Sequence, residues 1–389
     1  MKRIHTIAFD ATKANDNTTG RGNYSCFVIE ALSKACSHNA YFRMYTPRRM
    51  DNAAYDALDR RENVESMEPD GSLWRKFSGI WRMFRISHDA ERGGVELYHG
   101  LDNRLPYGLA RRDIRSVLTV HDLIFLRYTN SYNPLKKLLM RLSLRSACRR
   151  ADRIIAVSEC TKRDIVKYLD IDPEKIDVIY PGYNPIFGEE ISQERIDEVR
   201  KKYDLPEQYI LNVGAQHERK NIGAIIDAMD KLDYEIHLVA VGRRTSHTNR
   251  IRRQARNAAL EKQLHLLHNV DNRDLAAIYR GATMLVCPTH FASFGTPIVE
   301  AMSVGIPVIG AKGSSHEEAG GPHSIYIMPN NTAELAEKID LLLRDSALRE
   351  DMAAKGRAYV TRFRAEVFAY NILNCYKRIG IDLTDNRFL

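Results

Sequence analysis

Two adjacent cations, Arg219 and Lys220, follow a short apolar stretch that ends at Gly214. An apolar pattern with helical spacing starts directly after them, at Ile222. Arginine provides a fork of hydrogen-bond donors, lysine provides a compact charge, and the amino end of a helix adds a partial positive charge. This combination suits a bound diphosphate. A solvated basic turn, in which both side chains serve no ligand, is equally compatible with the local sequence.

A second group of residues with the chemistry of an anion site lies between Phe291 and Ile309. A strand pattern ends near Cys287, and a short loop then leads into a helix whose first turn Pro297 favours. Free backbone N–H groups there would face an anion, and Glu300, one turn later, can accept hydrogen bonds from vicinal hydroxyls such as those of a ribose. A buried strand-turn-helix unit with a plain surface carboxylate is the alternative. The loop residues with this predicted role are Ser293, Phe294, Gly295 and Thr296.

The first half of the chain carries two weaker signals. Gly20 and Gly22 lie in an expected turn over residues 18–24, where they would let the backbone approach a ligand, before a helix that we expect to begin near Phe27. The third glycine of a dinucleotide fingerprint is missing, which disfavours a dehydrogenase. His121 and Asp122 follow a strand pattern and so fall where a ligand site is expected, although a structural histidine is the plainer interpretation.

The strands and helices that position these residues alternate along the chain. Such alternation predicts an α/β architecture in which two doubly wound, Rossmann-like domains are built on parallel sheets. Turn-forming residues around 181–188 and a charged segment up to Pro206 predict a linker. We therefore expect domains over 1–185 and 186–365, and a final helix over 366–389 that packs back towards the first domain. The predicted strands are 4–9, 95–99, 117–120, 154–157, 176–180, 209–213, 236–241, 264–268, 284–287, 307–310 and 324–328.

The composition narrows the class of protein. The 389 residues include 58 Lys and Arg against 50 Asp and Glu, which gives a formal net charge of +8. That excess admits phosphorylated substrates, polyanions or an anionic membrane surface, but no module of interleaved aromatic and basic residues indicates nucleic-acid binding. The short apolar run at the amino terminus and the lack of a spanning apolar segment predict a cytoplasmic protein. Six scattered cysteines predict reduced thiols rather than a zinc site.

Both tryptophans, Trp74 and Trp81, lie in one stretch over residues 72–85 that mixes apolar and basic side chains. At about 100° per residue its apolar side chains share an arc of roughly 120°, while Arg75 and Arg82 point the other way. This pattern is typical of a helix that rests on a membrane, but it serves equally to pack a helix against its own sheet or to line an acceptor groove. A second basic stretch, over 136–150, is expected to be a packed helix with a cationic rim.

Taken together, these segments resemble the retaining glycosyltransferases of family 4, which have the GT-B fold, and the resemblance covers essentially the whole chain. Its most specific parts are the run 294–302 followed by 305–309, and Val213-Gly214 with Glu218-Arg219-Lys220-Asn221. The supporting parts are Tyr98-His99-Gly100, the run 119–123, Ala156-Val157-Ser158 with Thr161, and the run 276–282. The order and the spacing of these parts both fit the family.

The resemblance implies that the second domain binds a nucleotide diphosphate sugar and that the first mainly binds the acceptor, with the reaction in a cleft between them. Arg219 and Lys220 match the family's diphosphate-binding pair, and Glu300 matches the second glutamate of its E-x7-E motif, which contacts the ribose. It also implies transfer without a metal and with retained anomeric configuration, in which a donor phosphate oxygen takes the acceptor's proton. The remaining matches are His121, near the donor sugar, and Gly20 and Gly22, beside the phosphates.

One residue departs from the family pattern, because Ala292 stands where the first glutamate of E-x7-E would contact hydroxyls of the donor sugar. A different donor sugar, compensation by Ser293 or His290, or an impaired enzyme would each explain this. The predicted function is transfer of a hexose, from GDP-mannose or a UDP-sugar, to a glycan or lipid-linked acceptor in bacterial surface polysaccharide assembly at the inner face of the cytoplasmic membrane. A non-catalytic protein that binds sugar nucleotides or glycans is the alternative, and a GT-B epimerase fits the motifs less well.

Overall fold

The computed structural model describes residues 4–16, 20–127 and 133–384. The chain forms two compact units, of which the first contains Met1–Gly182 together with Ala365–Leu389, and the second contains Tyr183–Arg364. Each unit is built on one parallel sheet with helices packed on it, which confirms the predicted pair of Rossmann-like domains. None of the described helices is long and apolar enough to cross a membrane.

The first unit has a seven-stranded sheet. Its strands are β1 (His5–Asp10), β2 (Ala40–Tyr45), β3 (Val64–Met67), β4 (Leu97–Gly100), β5 (Arg115–Val120), β6 (Arg153–Ala156) and β7 (Ile176–Val178). They are parallel, in the order β3-β2-β1-β4-β5-β6-β7. Its helices up to residue 182 are α1 (Thr12–Asp16), α2 (Gly20–Ala35), α3 (Ala53–Asp59), α4 (Ser72–Lys76), α5 (Ser78–Ile80), α6 (Ile86–Arg92), α7 (Ile124–Arg127), α8 (Pro134–Arg150) and α9 (Glu159–Leu169).

Strands β2 and β3 are absent from the prediction. Arg43 interrupts the apolar run of β2, and β3 is a four-residue edge strand with two polar residues. The other strands of the described residues coincide, to within two residues, with predicted segments. Apolar runs therefore reveal the central strands, whereas a partly polar edge strand carries too little apolar signal.

The turn expected around Gly20 and Gly22 is wrong, because helix α2 begins at Gly20 rather than near Phe27. Gly20 is exposed and Gly22 is buried in the first turn of this helix. Thr18 and Thr19, which the expected turn included, lie outside the described residues. The two glycines thus form the start of a helix and not a loop.

The stretch over residues 72–92 is not a single helix, because α4, α5, a π-helical turn (Trp81–Arg85) and α6 follow one another. Trp81 is 1% exposed and its Nε1 donates a hydrogen bond to Asp89 at 2.8 Å, so core packing is the interpretation that holds for this residue. Trp74 packs partly against the same core, whereas Arg75 is exposed. The large apolar side chains of this stretch that stay exposed are Leu73, Phe77, Ile80, Met83 and Phe84.

Helix α8 is packed, as the sequence predicts, in only one of its halves. Its buried residues, Leu144, Ala147 and Cys148, all lie in its carboxyl-terminal half. Residues 133–143 are exposed or half-buried, so the amino-terminal half presents leucines as well as cations to solvent. Helical spacing alone could not reveal this, because it identifies an apolar face but not what covers it.

The second unit has a six-stranded sheet. Its strands are β8 (Tyr209–Val213), β9 (His237–Val241), β10 (Leu264–Leu267), β11 (Met284–Val286), β12 (Val308–Ala311) and β13 (Ile325–Ile327). They are parallel, in the order β10-β9-β8-β11-β12-β13. Its helices are α10 (Gln193–Lys202), α11 (Ile222–Met229), α12 (Thr248–Asn257), α13 (Asn272–Gly281), α14 (Thr296–Val304), α15 (His316–Gly320), α16 (Thr332–Arg344) and α17 (Ser346–Tyr359).

The expected linker up to Pro206 instead packs into the second unit. Phe187 is buried edge-on against Tyr279, with their ring centres 5.5 Å apart. Helix α10 is anchored by Arg195 and Lys202, which both pair with the buried carboxylate of Asp274 at the start of α13. Arg195 and Lys202 therefore have a structural role, and the segment that carries them is not a free connection.

The last helix, α18 (Ala365–Lys377), belongs to the first unit. Phe368 lies 5.2 Å from Phe27 of α2 between ring centres, and Tyr376 shares a 2.7 Å hydrogen bond with the buried Nδ1 of His99 on β4. Apolar residues of α18 are thus part of the core on one face of the first sheet.

Candidate functional site

Lys220 lies in a single 3-10 turn, Glu218–Lys220, that follows β8. Its side chain lies against Gly214, where the φ of +137° favours glycine and an added Cβ would come within 2.9 Å of the Lys220 Cε. Burial lowers the pKa of the Lys220 ammonium, and the charge of Arg219 lowers it further. The strand end, the glycine and the turn together hold a cation at the carboxyl edge of the second sheet.

Arg219 is joined to the loop after β11. Its Nη1 donates to the carbonyl of Phe291 at 3.4 Å, and its own carbonyl accepts from the amide of His290 at 3.0 Å. Asn221 ends the turn with a φ of 56°, and its side-chain amide donates to the carbonyls of the prolines that follow β11 and β13. Over residues 4–16, 20–127 and 133–384, neither Arg219 nor Lys220 has an ion-pair partner. Their positive charges are therefore available to an anion.

Helix α14 begins beside these two cations. Gly295 directly precedes α14 and packs closely against α15. A Cβ at this position would lie 2.9 Å from a methyl group of α15. The Ser315 hydroxyl lies 2.8 Å from the carbonyl oxygen of Ala292 and 2.6 Å from that of Phe294. These hydrogen-bond contacts hold the loop that precedes α14. Thr296 is exposed at the first position of the helix. The first amides of a helix lack intrahelical partners, so this loop presents donors at the positive end of α14.

Glu300, in the second turn of α14, has a carboxylate that is hydrogen-bonded to Tyr279. The Tyr279 hydroxyl donates to Glu300 Oε2 at 2.7 Å from helix α13. Burial raises the pKa of the Glu300 carboxyl to about 7, although the Tyr279 hydrogen bond and the Lys220 charge both lower it. Tyr279 is fully buried, and sequence reasoning missed it. Its only signal is that a buried tyrosine needs a hydrogen-bond partner, which the sequence does not identify.

Ala292 is buried in the loop that leads to α14. Ser293 and His290, the two residues that could compensate for a missing glutamate, are half-buried in the same loop. The second unit therefore brings together Arg219, Lys220, Glu300 and the loop residues 293–296, as the spacing of strand ends predicts.

His121 follows β5 in the first unit and is buried. Its Nε2 lies 2.8 Å from the carbonyl of Leu101, and Tyr24 meets its ring edge-on with 4.7 Å between ring centres. Burial lowers the pKa of the His121 imidazole, and the nearby Arg21 charge lowers it further. A neutral imidazole in this position donates from Nε2 to the carbonyl.

Two arginines pair with carboxylates at the carboxyl edge of the first sheet. Arg82 Nη2 donates at 2.6 Å to Asp10, the last residue of β1, so this arginine is not the exposed membrane contact that the helical pattern suggested. Arg21, from the first turn of α2, bridges Asp102 and Asp122 at 2.9 Å each. Sequence reasoning missed Arg21 because its partners lie 81 and 101 residues away.

Two family descriptions match this chain. Residues 194–359 match "Glycosyl transferases group 1", and residues 28–186 match "Glycosyltransferase Family 4". Among curated proteins, the chain is 28% identical over 287 residues to the O-antigen chain mannosyltransferase B of Escherichia coli, with 72% of this chain and 74% of that protein covered. It is also 28% identical to the serotype-specific mannosyltransferase WbdA of Escherichia coli, with 64% of this chain but only 32% of that longer protein covered.

The fold is shared with a solved structure of similar length. The Anabaena protein HepE, in complex with UDP and glucose, is similar with a TM-score of 0.76 over 96% of this chain and all of that chain. The identity is 19%, so this likeness concerns the fold.

Proposed function

Since this chain belongs to the group 1 glycosyl transferases and has the GT-B fold, we propose that it transfers a hexose from a nucleotide diphosphate sugar to a glycan or lipid-linked acceptor. The observation that carries the proposal is the group of Arg219, Lys220 and Glu300 around the start of α14, in which the two cations lack ion-pair partners among the described residues. Free cations next to helix amides suit a diphosphate, and a carboxylate suits the ribose hydroxyls.

Each residue has a role in this proposal. Arg219 and Lys220 hold the diphosphate and stabilise the negative charge that grows on it as the sugar leaves. The amides of Gly295 and Thr296 add donors, and Glu300 accepts from the ribose. Because these groups supply the positive charge, we propose transfer without a metal ion, which would otherwise serve as the electrophile.

The proposed transfer retains the anomeric configuration. The bond between the sugar C1 and the diphosphate oxygen breaks, and a bond from C1 to the acceptor oxygen forms on the same face. The acceptor's proton passes to an oxygen of the departing diphosphate, so no protein base is needed. His121 is proposed to lie on the donor sugar's side of the reaction.

The donor is proposed to be GDP-mannose or a UDP-sugar. The names of the relatives, an O-antigen chain mannosyltransferase and a serotype-specific mannosyltransferase, support mannose and bacterial surface polysaccharide assembly. The UDP complex of the structural neighbour keeps UDP-sugars as the second choice. An acceptor of this kind would place the enzyme at the inner face of the cytoplasmic membrane.

A panel of nucleotides and sugar nucleotides tests the donor. A matching diphosphate at about 100 times its dissociation constant is expected to add about 2.7 kcal/mol to the free energy of unfolding, which a thermal-shift assay detects. Transfer from the stabilising sugar nucleotide, followed by NMR, is expected to give a product with the donor's anomeric configuration. No stabilisation by any nucleotide would refute the donor site, and an inverted product would refute the mechanism.

The alternative function is sugar-nucleotide binding without catalysis. It is favoured by Ala292, which removes a carboxylate that would contact the donor sugar. Binding of a sugar nucleotide with no turnover by this chain, and turnover by Ala292→Glu, would support that alternative over the transferase.

Nucleotide affinity is expected to depend on the charge of Glu300. Its carboxyl has a pKa of about 7, and the ribose hydroxyls bind the ionised form, so affinity for UDP or GDP should rise by up to about tenfold from pH 6 to pH 8. Tyr279→Phe removes a hydrogen bond that lowers this pKa, and the midpoint of the rise should move to higher pH.

Titration calorimetry across this pH range measures the effect. Glu300→Gln is the matched control, because it keeps the size of the side chain but removes the carboxyl group. Any pH dependence of affinity that remains in this variant then comes from titration of the diphosphate. An identical pH profile for Glu300→Gln and the unmodified chain would show that Glu300 does not bind the ribose.

A further inference from the structure

Helix α8 has two apolar sides, of which the core covers only one. Its buried residues, in the carboxyl-terminal half, face the sheet. Four leucines at spacings of three and four residues form a second face, which covers an arc of about 100° at about 100° per residue. Their side chains are exposed by 65%, 49%, 58% and 52% for Leu135, Leu138, Leu139 and Leu142.

The charge on this helix has one sign. Its 17 residues include six Lys and Arg and no Asp or Glu. Arg145 and Arg149 share a single carboxylate, that of Asp170, and Arg141 donates to the carbonyl of Tyr168. Lys136 and Lys137 have no ion-pair partner in the described part of the chain. At the same 100° per residue, Lys136 lies about 60° outside the leucine arc, whereas Lys137 points to the opposite side of the helix. The leucine face is therefore bordered by a cation, Lys136, that the protein does not neutralise.

A second exposed apolar surface adjoins the carboxyl end of α8. The guanidinium of Arg150, at the end of the helix, lies 3.8 Å from the centre of the Tyr107 ring. Phe84 stacks on the same ring, with 5.3 Å between ring centres. Phe84 belongs to the exposed apolar side chains of residues 73–84. The exposed apolar side chains of residues 73–84 thus reach the carboxyl end of α8 through Tyr107 and Arg150.

We propose that the leucine face of α8 binds an anionic lipid bilayer, with its leucines in the interface and Lys136 against the lipid headgroups. An exposed apolar face with flanking cations and no acidic residue has the pattern of a helix that lies on a membrane. Negative headgroups complement its charge. A second copy of the chain would instead bring like charges together around the leucines, which disfavours a symmetric dimer through this face.

This inference rests on the proposed function in one respect, because a lipid-linked acceptor is available only at a bilayer. The leucine face would hold the enzyme at the bilayer that contains the acceptor, a role that the proposed donor site does not have. The inference also assigns membrane contact to α8 rather than to Trp81 and Arg82, which are taken up by the core and by Asp10.

Co-sedimentation of the full chain with vesicles tests the inference. Binding is expected to phosphatidylcholine vesicles that contain phosphatidylglycerol, and to be weaker for phosphatidylcholine alone and at high salt. Lys136→Gln should weaken binding about fivefold, and Lys137→Gln, on the opposite side of the helix, should weaken it less. Replacement of the four leucines by serine should weaken it by at least about tenfold. Leu341→Ser, at an exposed leucine of α16, is the matched control and should bind as the unmodified chain does.

The outcomes separate the two proposals. Unchanged vesicle binding by the leucine variant, or no binding to any vesicle, overturns the inference. A dimer of the unmodified chain that the leucine variant converts to a monomer, without an effect of vesicles, would assign this face to a second copy. Thermal stabilisation by nucleotides should persist in every variant of α8, so a loss of lipid binding alone leaves the donor site intact.

Discussion

Replacing Arg219 with alanine and Lys220 with methionine in one chain is expected to lower kcat/KM for the donor by about a thousandfold or more. Both cations lie beside the start of α14 and have no ion-pair partner among the described residues, so a diphosphate would be their counter-charge. Methionine keeps most of the volume that Lys220 fills against Gly214. The loss should therefore reflect charge and not a cavity.

Binding measurements show where that loss arises. Affinity for UDP or GDP should fall strongly in the double variant, whereas the weak affinity for the nucleoside alone should change little, because the nucleoside carries no diphosphate. Lys355→Ala, which removes an exposed cation of α17 paired with Asp351, is the matched control and should leave kcat/KM unchanged. A double variant within about threefold of the unmodified chain would exclude these residues from the reaction.

Replacing Asp10 with alanine is expected to destabilise the first unit by about 3–5 kcal/mol. Asp10 is 5% exposed and accepts from Arg82 at 2.6 Å, so its loss leaves a guanidinium in a largely buried place without a counter-charge. Replacing both residues, Asp10→Ala with Arg82→Met, should recover much of the loss, because no charge is then left unpaired. Glu30→Ala, which breaks an exposed pair with Lys34, should cost less than about 1 kcal/mol.

Tryptophan fluorescence during urea unfolding measures this effect. The chain has two tryptophans, Trp74 and Trp81, and both belong to the first unit. Their signal therefore reports on that unit even if the second unit unfolds separately. Equal stability of Asp10→Ala and the unmodified chain would mean that the pair contributes nothing.

The same pair predicts a pH dependence. Burial alone would raise the pKa of the Asp10 carboxyl, but Arg82 and the Thr12 hydroxyl outweigh it, and the pKa lies below its ordinary value. Stability from a carboxyl with a lowered folded pKa is present above the ordinary value of about 4 and is lost as the pH falls below it. The difference between the unmodified chain and Asp10→Ala should thus be constant near neutral pH and shrink in acid.

The fold and the second-unit site were largely predictable because both depend on local patterns. Central parallel strands are buried on both faces and appear as apolar runs, and the loops after them fall at one edge of the sheet. This is how Arg219, Lys220, Gly295 and Glu300 could be grouped before their positions were known.

Interactions between distant residues were not predictable. The Tyr279 hydroxyl meets Glu300 only because α13 and α14 pack together, and Arg21 meets two aspartates at the ends of other strands. The single helix expected around Trp81 is wrong, because the helical period assumes an unbroken helix. Short helices and a π-helical turn change the direction of the side chains within a few residues.

The return of the chain to the first unit at Ala365 bears on the order in which the protein can form. The second unit is a continuous segment inserted into the first, whereas the first-unit core includes Phe368, Ile372 and Tyr376 from the last helix. During synthesis from the amino terminus, all of the second unit leaves the ribosome before those three side chains do. The inserted unit can therefore mature first, and the unit that starts earliest is completed last.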